Sequence, residues 1–166
     1  MIHKIIWKVT VTGKKGSGKS SLISSVVYNS SSPVDIKGFI RKKIDINFNF
    51  EDYDINLLFL EMPMELLDDR ILSKSTLVLV TVDITDMDSL EAAEKFIMKY
   101  SNEMEIFLIG MKSDLRYISQ FWENDMNKVA DKYNIKYYIY NNKLNFDDIM
   151  NDILKSVLTK IYNRNK

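Results

Sequence analysis

A doubly wound α/β sheet, with helices on both faces and ligands at the carboxyl ends of its strands, is the fold class this sequence predicts. Three observations carry that expectation. Gly13-Lys14-Lys15-Gly16-Ser17-Gly18-Lys19-Ser20 fits the spacing G-x-x-x-x-G-K-[ST] of a phosphate-binding loop, and it lies between an apolar run and a helical pattern. The second half of the chain alternates apolar, β-branched runs with amphipathic stretches. Finally, 166 residues at 46% hydrophobic content suffice for one domain, spanning 1–166, with an ample core.

Each element has its own sequence signal. Residues 5–11 read as a buried first strand and residues 19–29 as the helix after the loop. Ser30-Ser31-Ser32-Pro33 is a break, followed by an irregular stretch to about Arg41. Residues 44–50 alternate with period two, 51–54 are polar enough to turn, and 55–60 form the return strand of a hairpin. Phe48 and Phe50 fall on one face and are expected to fill the hairpin core. After Pro63, a short helical segment spans about 65–72. Residues 77–82 and 106–109 are apolar enough for strands buried on both faces. Residues 88–100 form an amphipathic helix, with Leu90, Ala93, Phe96, Ile97 and Tyr100 on one side. Residues 124–133 read as helix, 135–140 as strand, and 146–162 as a long last helix striped by Ile149, Ile153, Val157 and Ile161.

Composition removes several functions. A net charge of +0 supplies no bulk field to recruit nucleic acid or an anionic membrane. With no Cys and a single His, a Cys/His zinc site, a catalytic thiol and a disulfide framework are excluded. Neither a secretion signal, a membrane-spanning run nor a Gly at position 2 is present, and no Cys can carry a lipid. The expectation is a cytoplasmic protein without a direct lipid anchor.

The loop defines a chemistry. Gly13, Gly16 and Gly18 let the backbone turn tightly, so that successive N–H groups point at phosphate oxygens. Lys19 adds a point charge for the outer phosphates, Ser20 offers a hydroxyl to Mg²⁺, and the following helix aims its positive end at the same anion. Its bland counterpart, a Gly/Ser/Lys surface turn, does not account for the strand and helix that flank it.

Further motifs follow in order. Residues 77–86, ending Asp83-Ile84-Thr85-Asp86, lead into Ser89-Leu90; Gly110-Met111-Lys112-Ser113-Asp114-Leu115 comes next, and then Tyr138 to Lys143. With these the chain resembles the Ras-like small GTPases, the Rab branch most, over essentially its whole length. The resemblance implies a phosphate-loop NTPase fold, a three-layer α/β/α sandwich on six strands, five parallel and one antiparallel. It implies GTP or GDP with Mg²⁺ as cofactors. Gly13, Lys14, Lys15, Gly16, Ser17, Gly18, Lys19 and Ser20 would cradle the phosphates, and Ser21 would reach the α-phosphate. Asp114 would accept hydrogen bonds from guanine N1 and N2, Lys112 would pack over the loop and ring, and Asn142 and Lys143 would flank the base. Ser20 and Glu61 would serve the metal.

Departures from the family pattern cluster. Met111 replaces the Asn that ties the base loop to the phosphate loop, and Met cannot make those hydrogen bonds. No Thr occurs between Ser20 and Thr76, so the first switch, near 37–41, has none to ligate Mg²⁺. Ser30 to Pro33 supply no aromatic for the guanine edge, which leaves Phe39 as a substitute. The Asp-x-x-Gly motif becomes Glu61-Met62-Pro63-Met64: a longer carboxylate, a stiffened backbone and no Gly N–H at the γ-phosphate. Glu65 stands where a water-orienting Gln belongs, and a carboxylate there repels the γ-phosphate. Lys15 is either a solvated lysine or a charge supplied in cis to that phosphate.

The grip on the α- and β-phosphates is therefore intact, base recognition weakened, and γ-phosphate sensing damaged. Two functions stay open. One is a divergent guanine-nucleotide-binding protein with slow or absent hydrolysis, working as a monomer or within a hetero-complex through an effector or complex partner, as in vesicle trafficking. The other is a pseudo-GTPase scaffold that no longer cycles nucleotide. A phosphoryl-transfer enzyme would need an Arg-rich lid, and Arg41, Arg70, Arg116 and Arg164 are scattered.

Overall fold

The computed structural model describes residues 2–29, 35–36, 38–141 and 145–165. Strand β1 (Ile2–Gly13) leads into helix α1 (Lys19–Asn29). Strands β2 (Asp35–Ile36), β3 (Phe39–Phe48) and β4 (Glu51–Glu61) follow, then helix α2 (Asp69–Ser73). The second half runs β5 (Leu77–Asp83), α3 (Met87–Tyr100), β6 (Ile106–Met111), α4 (Glu123–Tyr133), β7 (Lys136–Ile139) and α5 (Phe146–Arg164). The sheet order is β2-β3-β4-β1-β5-β6-β7. The six expected strands are present with β3 as the antiparallel one, and two-residue β2 continues the sheet at its outer edge.

The two faces bury separate cores. Alternation along β5 sends Leu77 and Leu79 to one side and Val78, Val80 and Val82 to the other. The first side packs under α1 and α5 through Leu22, Val26, Phe146 and Ile153. The second packs under α2, α3 and α4 through Leu72, Ile97 and Met126. Strands buried on both faces can be apolar throughout, and every residue of β5 and β6 is buried.

Four local expectations are corrected. The hairpin turns at Asn49 and Phe50, not at residues 51–54, because Asp52 and Asp54 occupy ladder positions opposite Asn47 and Asp45. Phe50 accordingly leaves the core: it is 101% exposed, while Phe48 alone packs inward. The segment after Pro63 is a 3₁₀ turn (Met64–Leu66) and short α2, separated at Asp68, whose carboxylate caps α2 by accepting from Ile71 N–H at 2.8 Å. Ile161, at 37% exposure, falls outside the α5 core stripe. The Ser30–Pro33 break lies outside the described residues.

Asn49 and Phe50 have φ of 52° and 65°, the doubly left-handed pair of a type I′ turn. Glycine is the usual second residue there, and a bulky side chain is strained. Phe50→Gly is expected to stabilise the fold by about 1 kcal/mol, since no packing is lost. Thermal unfolding should report a rise of about 2–4 °C.

Candidate functional site

The carboxyl edge of the sheet gathers the motifs. Gly13 ends β1 beside Thr81 of β5, Asp83 ends β5 beside Met111 of β6, and Glu61 ends β4 beside Val11. Loops leaving these strand ends therefore converge on one rim, as the fold class requires.

The phosphate loop sits on a hydroxyl floor. Thr81 Oγ1 donates to Thr12 O at 3.2 Å, so the buried Ser17 hydroxyl donates to Thr81 Oγ1 at 2.7 Å. Gly13 rests directly on this pair: a Cβ there would lie 2.5 Å from both hydroxyl oxygens and 2.6 Å from Thr81 O. Gly16 (φ +82°) and Gly18 (φ +101°) adopt the left-handed turns that the loop needs, with open space around Gly16. Lys19 Nζ donates to Gly13 O at 3.0 Å and Lys14 O at 3.1 Å. An ammonium has three donors, so one is left for an anion in the loop.

Helix α1 completes the cradle. Its first internal bond runs from Leu22 N–H to Gly18 O at 3.1 Å, which leaves the N–H groups of Lys19, Ser20 and Ser21 facing out of the helix end. No acidic side chain of the helix itself occupies the first turn, so nothing within α1 offsets its positive end. The backbone thus fits a phosphate chain.

The two expected metal groups also meet. Ser20 Oγ donates to Glu61 Oε1 at 3.3 Å, so a hydroxyl and a carboxylate converge from α1 and β4. Two oxygen ligands completed by water and phosphate match the habit of Mg²⁺. Beyond Glu61 the chain is pinned, with Met62 N–H bonded to Val11 O at 3.0 Å. Pro63 has no N–H to give, half-buried Met64 packs on the second core, and Glu65 is exposed on the 3₁₀ turn. No hydrogen-bond donor therefore stands at the family's Gly and Gln positions except backbone.

The base side is assembled from β6 and β7. Lys112 adopts φ 61°, which turns the chain into the 3₁₀ segment Ser113–Ile118. Ser113 Oγ donates to Tyr140 O at 2.9 Å, joining this turn to the loop after β7. Asn145 Nδ2 holds Ile139 O at 3.0 Å, shaping the same loop from the α5 side. Asp114 is exposed and makes no hydrogen bond or ion pair among the described residues. Asn142 and Lys143 lie outside the described residues. Phe39 faces the α2 side of the sheet, with Lys8 Nζ 5.6 Å from its ring centroid, and is not a cap for a base.

Met111 forms a tie of a different kind. It is buried, and its Cγ would lie 2.8 Å from a Cβ on Gly18. The base-side strand and the phosphate loop are thus joined by close apolar contact where the family pattern uses Asn.

Two lysines are held by partners the motifs did not announce. Lys112 Nζ donates to Asp83 Oδ2 at 2.7 Å, and Thr85 donates to Asp83 Oδ1 through Oγ1 at 2.6 Å and N–H at 2.8 Å. Burial pushes the Asp83 carboxyl up, but these bonds outweigh it and leave its pKa below the ordinary 3.8. A lowered carboxylate stabilises above its unfolded value and loses that contribution as pH falls through the folded one, so the pair survives mild acid. Lys14 Nζ reaches Asp86 Oδ2 at 2.9 Å and Asp88 at 3.9 Å, and the Asp86 bond raises its pKa. The leading side of the phosphate loop is thereby tethered to the start of α3. Lys15 is exposed with no partner among the described residues.

Fold and loop together define an α/β nucleotide-binding domain of the phosphate-loop class. The family comparison narrows it: the Ras family model matches residues 8–162, and the chain belongs to that family. A search of curated proteins found no match. As a member of that family the chain is a small GTP-binding protein.

Proposed function

We propose that this protein is a divergent, Rab-like guanine-nucleotide-binding protein that holds its ligand by the diphosphate, hydrolyses GTP slowly or not at all, and acts through protein contacts, as in intracellular trafficking. The observation that carries the proposal is an asymmetry. The α1 N-terminus and the Gly13–Ser17–Thr81 floor suit the inner phosphates and Lys19 reaches from them toward the outer ones, while the side chains of Pro63, Met64 and Glu65 offer the γ-phosphate no donor. Ser20 and Glu61 would hold Mg²⁺, which shields the phosphate charges from each other. Asp114 would take the guanine donors. An orienting Gln and an arginine finger together give about 10⁵ in rate for this class, and a carboxylate at position 65 works against the attacking water.

The test is to denature the purified protein, identify the released small molecule by chromatography, and measure affinity with and without Mg²⁺. GDP or GTP at submicromolar affinity is expected. An empty site that GTP cannot fill would overturn the proposal in favour of a scaffold without nucleotide, and preferential ATP would overturn the role of Asp114.

Met111 offers a second measurement. Met111→Asn is expected to raise GDP affinity about 10-fold, since one or two new hydrogen bonds contribute about 0.5–1.5 kcal/mol each. It should also lower stability by about 1–2 kcal/mol, because a buried side chain loses volume and gains polar atoms. Isothermal titration and chemical denaturation of the same variant read the two effects separately.

A further inference from the structure

The outward face of the sheet carries a groove unlike the phosphate site. Register places Lys8 beside Leu58 and Thr10 beside Leu60, with Arg41 across from Leu58. Helix α2 contributes Arg70 and Ile71, and its C-cap residue Lys74, to a recess of about 280 Å³. The floor is Phe39, Leu60 and Ile71, all partly exposed.

The charge of this recess is one-sided. Lys8, Arg70 and Lys74 line it and, among the described residues, no carboxylate does. None of the three is in an ion pair among the described residues. Arg41, at the margin, donates to the neutral Asn56 Oδ1 at 2.6 and 3.0 Å. The acidic residues of α2 are engaged elsewhere: Asp68 caps the helix, and Asp69 accepts from Tyr100 OH at 3.0 Å. In a chain of net charge +0, four cations that have no carboxylate partner among the described residues surround an apolar recess and form a local complement to negative charge.

We propose that this groove docks an acidic segment of a partner protein, which seats one large apolar side chain on Phe39, Leu60 and Ile71 and sets carboxylates against Lys8, Arg70 and Lys74. Size and shape favour this occupant. The recess falls just below the range of roughly 300–1,000 Å³ typical of small-molecule sites and suits a side-chain anchor. A nucleic-acid backbone would engage the cations and leave the apolar floor uncovered. A flat anionic bilayer would meet the rim and not the floor. The proposal deepens the partner half of the proposed function, and it stands without the nucleotide half.

The test uses fluorescence anisotropy on the full chain, with its bound nucleotide quantified in the same samples. The probes are a labelled acidic peptide of about nine residues with Phe-Leu at its centre, the same peptide with Ala-Ala there, and its Lys-for-Asp/Glu inverse. A single-stranded oligonucleotide and phosphatidylserine vesicles complete the set. The acidic Phe-Leu peptide is expected to bind, and R70E combined with K74E should weaken it at least 10-fold while circular dichroism and melting show an intact fold. Ala-Ala should cost a similar factor, and the inverse peptide should not bind. Absence of binding by the acidic peptide overturns the proposal, as does indifference to the double variant or stronger binding by oligonucleotide or vesicle. Failure here with GDP bound removes the groove alone; peptide binding by a protein whose empty site GTP cannot fill removes the nucleotide proposal alone.

Discussion

Lys19→Ala is expected to weaken GDP affinity by about 100-fold or more while leaving the protein folded. Its ammonium spends two donors on Gly13 O and Lys14 O and keeps the third for phosphate. Charge-assisted hydrogen bonds are worth about 1.5–3 kcal/mol each, and the loop shape that those two carbonyl contacts maintain is lost with them. The fold should survive, because Lys19 is half-buried at a surface loop and contributes nothing to either apolar core. Fluorescent-nucleotide titration paired with thermal melting checks both halves. Undiminished affinity would mean that the loop does not bind phosphate.

The second large effect is expected at Gly18. Its φ of +101° is strained for any side chain, at about 1–2 kcal/mol, and a new Cβ would press on Met111 Cγ at 2.8 Å and Cβ at 2.9 Å. Gly18→Ala should therefore destabilise by about 2–4 kcal/mol and displace the loop from β6. Adding Met111→Ala removes the Cγ and Cε contacts but leaves Cβ at 2.9 Å and opens a cavity, so the double variant should be destabilised by less than the sum of the two single variants and keep the strained φ. Chemical denaturation of the single and double variants measures the split. If the losses of the two single variants simply add in the double variant, then the Met111 contact is not what constrains the loop.

Much of this architecture was legible in the chain itself, for identifiable reasons. Strands β5 and β6 are buried on both faces, which forces continuous apolar runs that no surface element shows. The phosphate loop was legible because each glycine answers a backbone demand that other residues meet poorly. The hairpin was misplaced because its turn lacks that signal: Phe50 takes a left-handed conformation usually left to glycine. The acidic residues 51–54 imitate a turn in composition, whereas in the ladder they alternate between the two faces. Ile161 continues the α5 spacing but sits where the core has ended, a limit that periodicity does not encode.

Side-chain pairing was less accessible. Lys112 lies 29 positions from Asp83, and Lys14 lies 72 from Asp86, so only the convergence of strand ends brings them together. The groove under α2 is likewise a product of register, since Lys8, Phe39, Leu60 and Lys74 share no sequence motif. Arg70 and Lys74 alone, four apart on a short helix, would read as an ordinary solvated face.

The contact between Met111 and Gly18 gives the link between base side and phosphate side an unusual thermal character. A bond through an amide would be mainly enthalpic and would hold on cooling. Apolar contact has little enthalpy near room temperature and weakens as temperature drops. It also carries no ionisable group and no charge for salt to screen. This contact should thus weaken in the cold, and stay indifferent to ionic strength and pH.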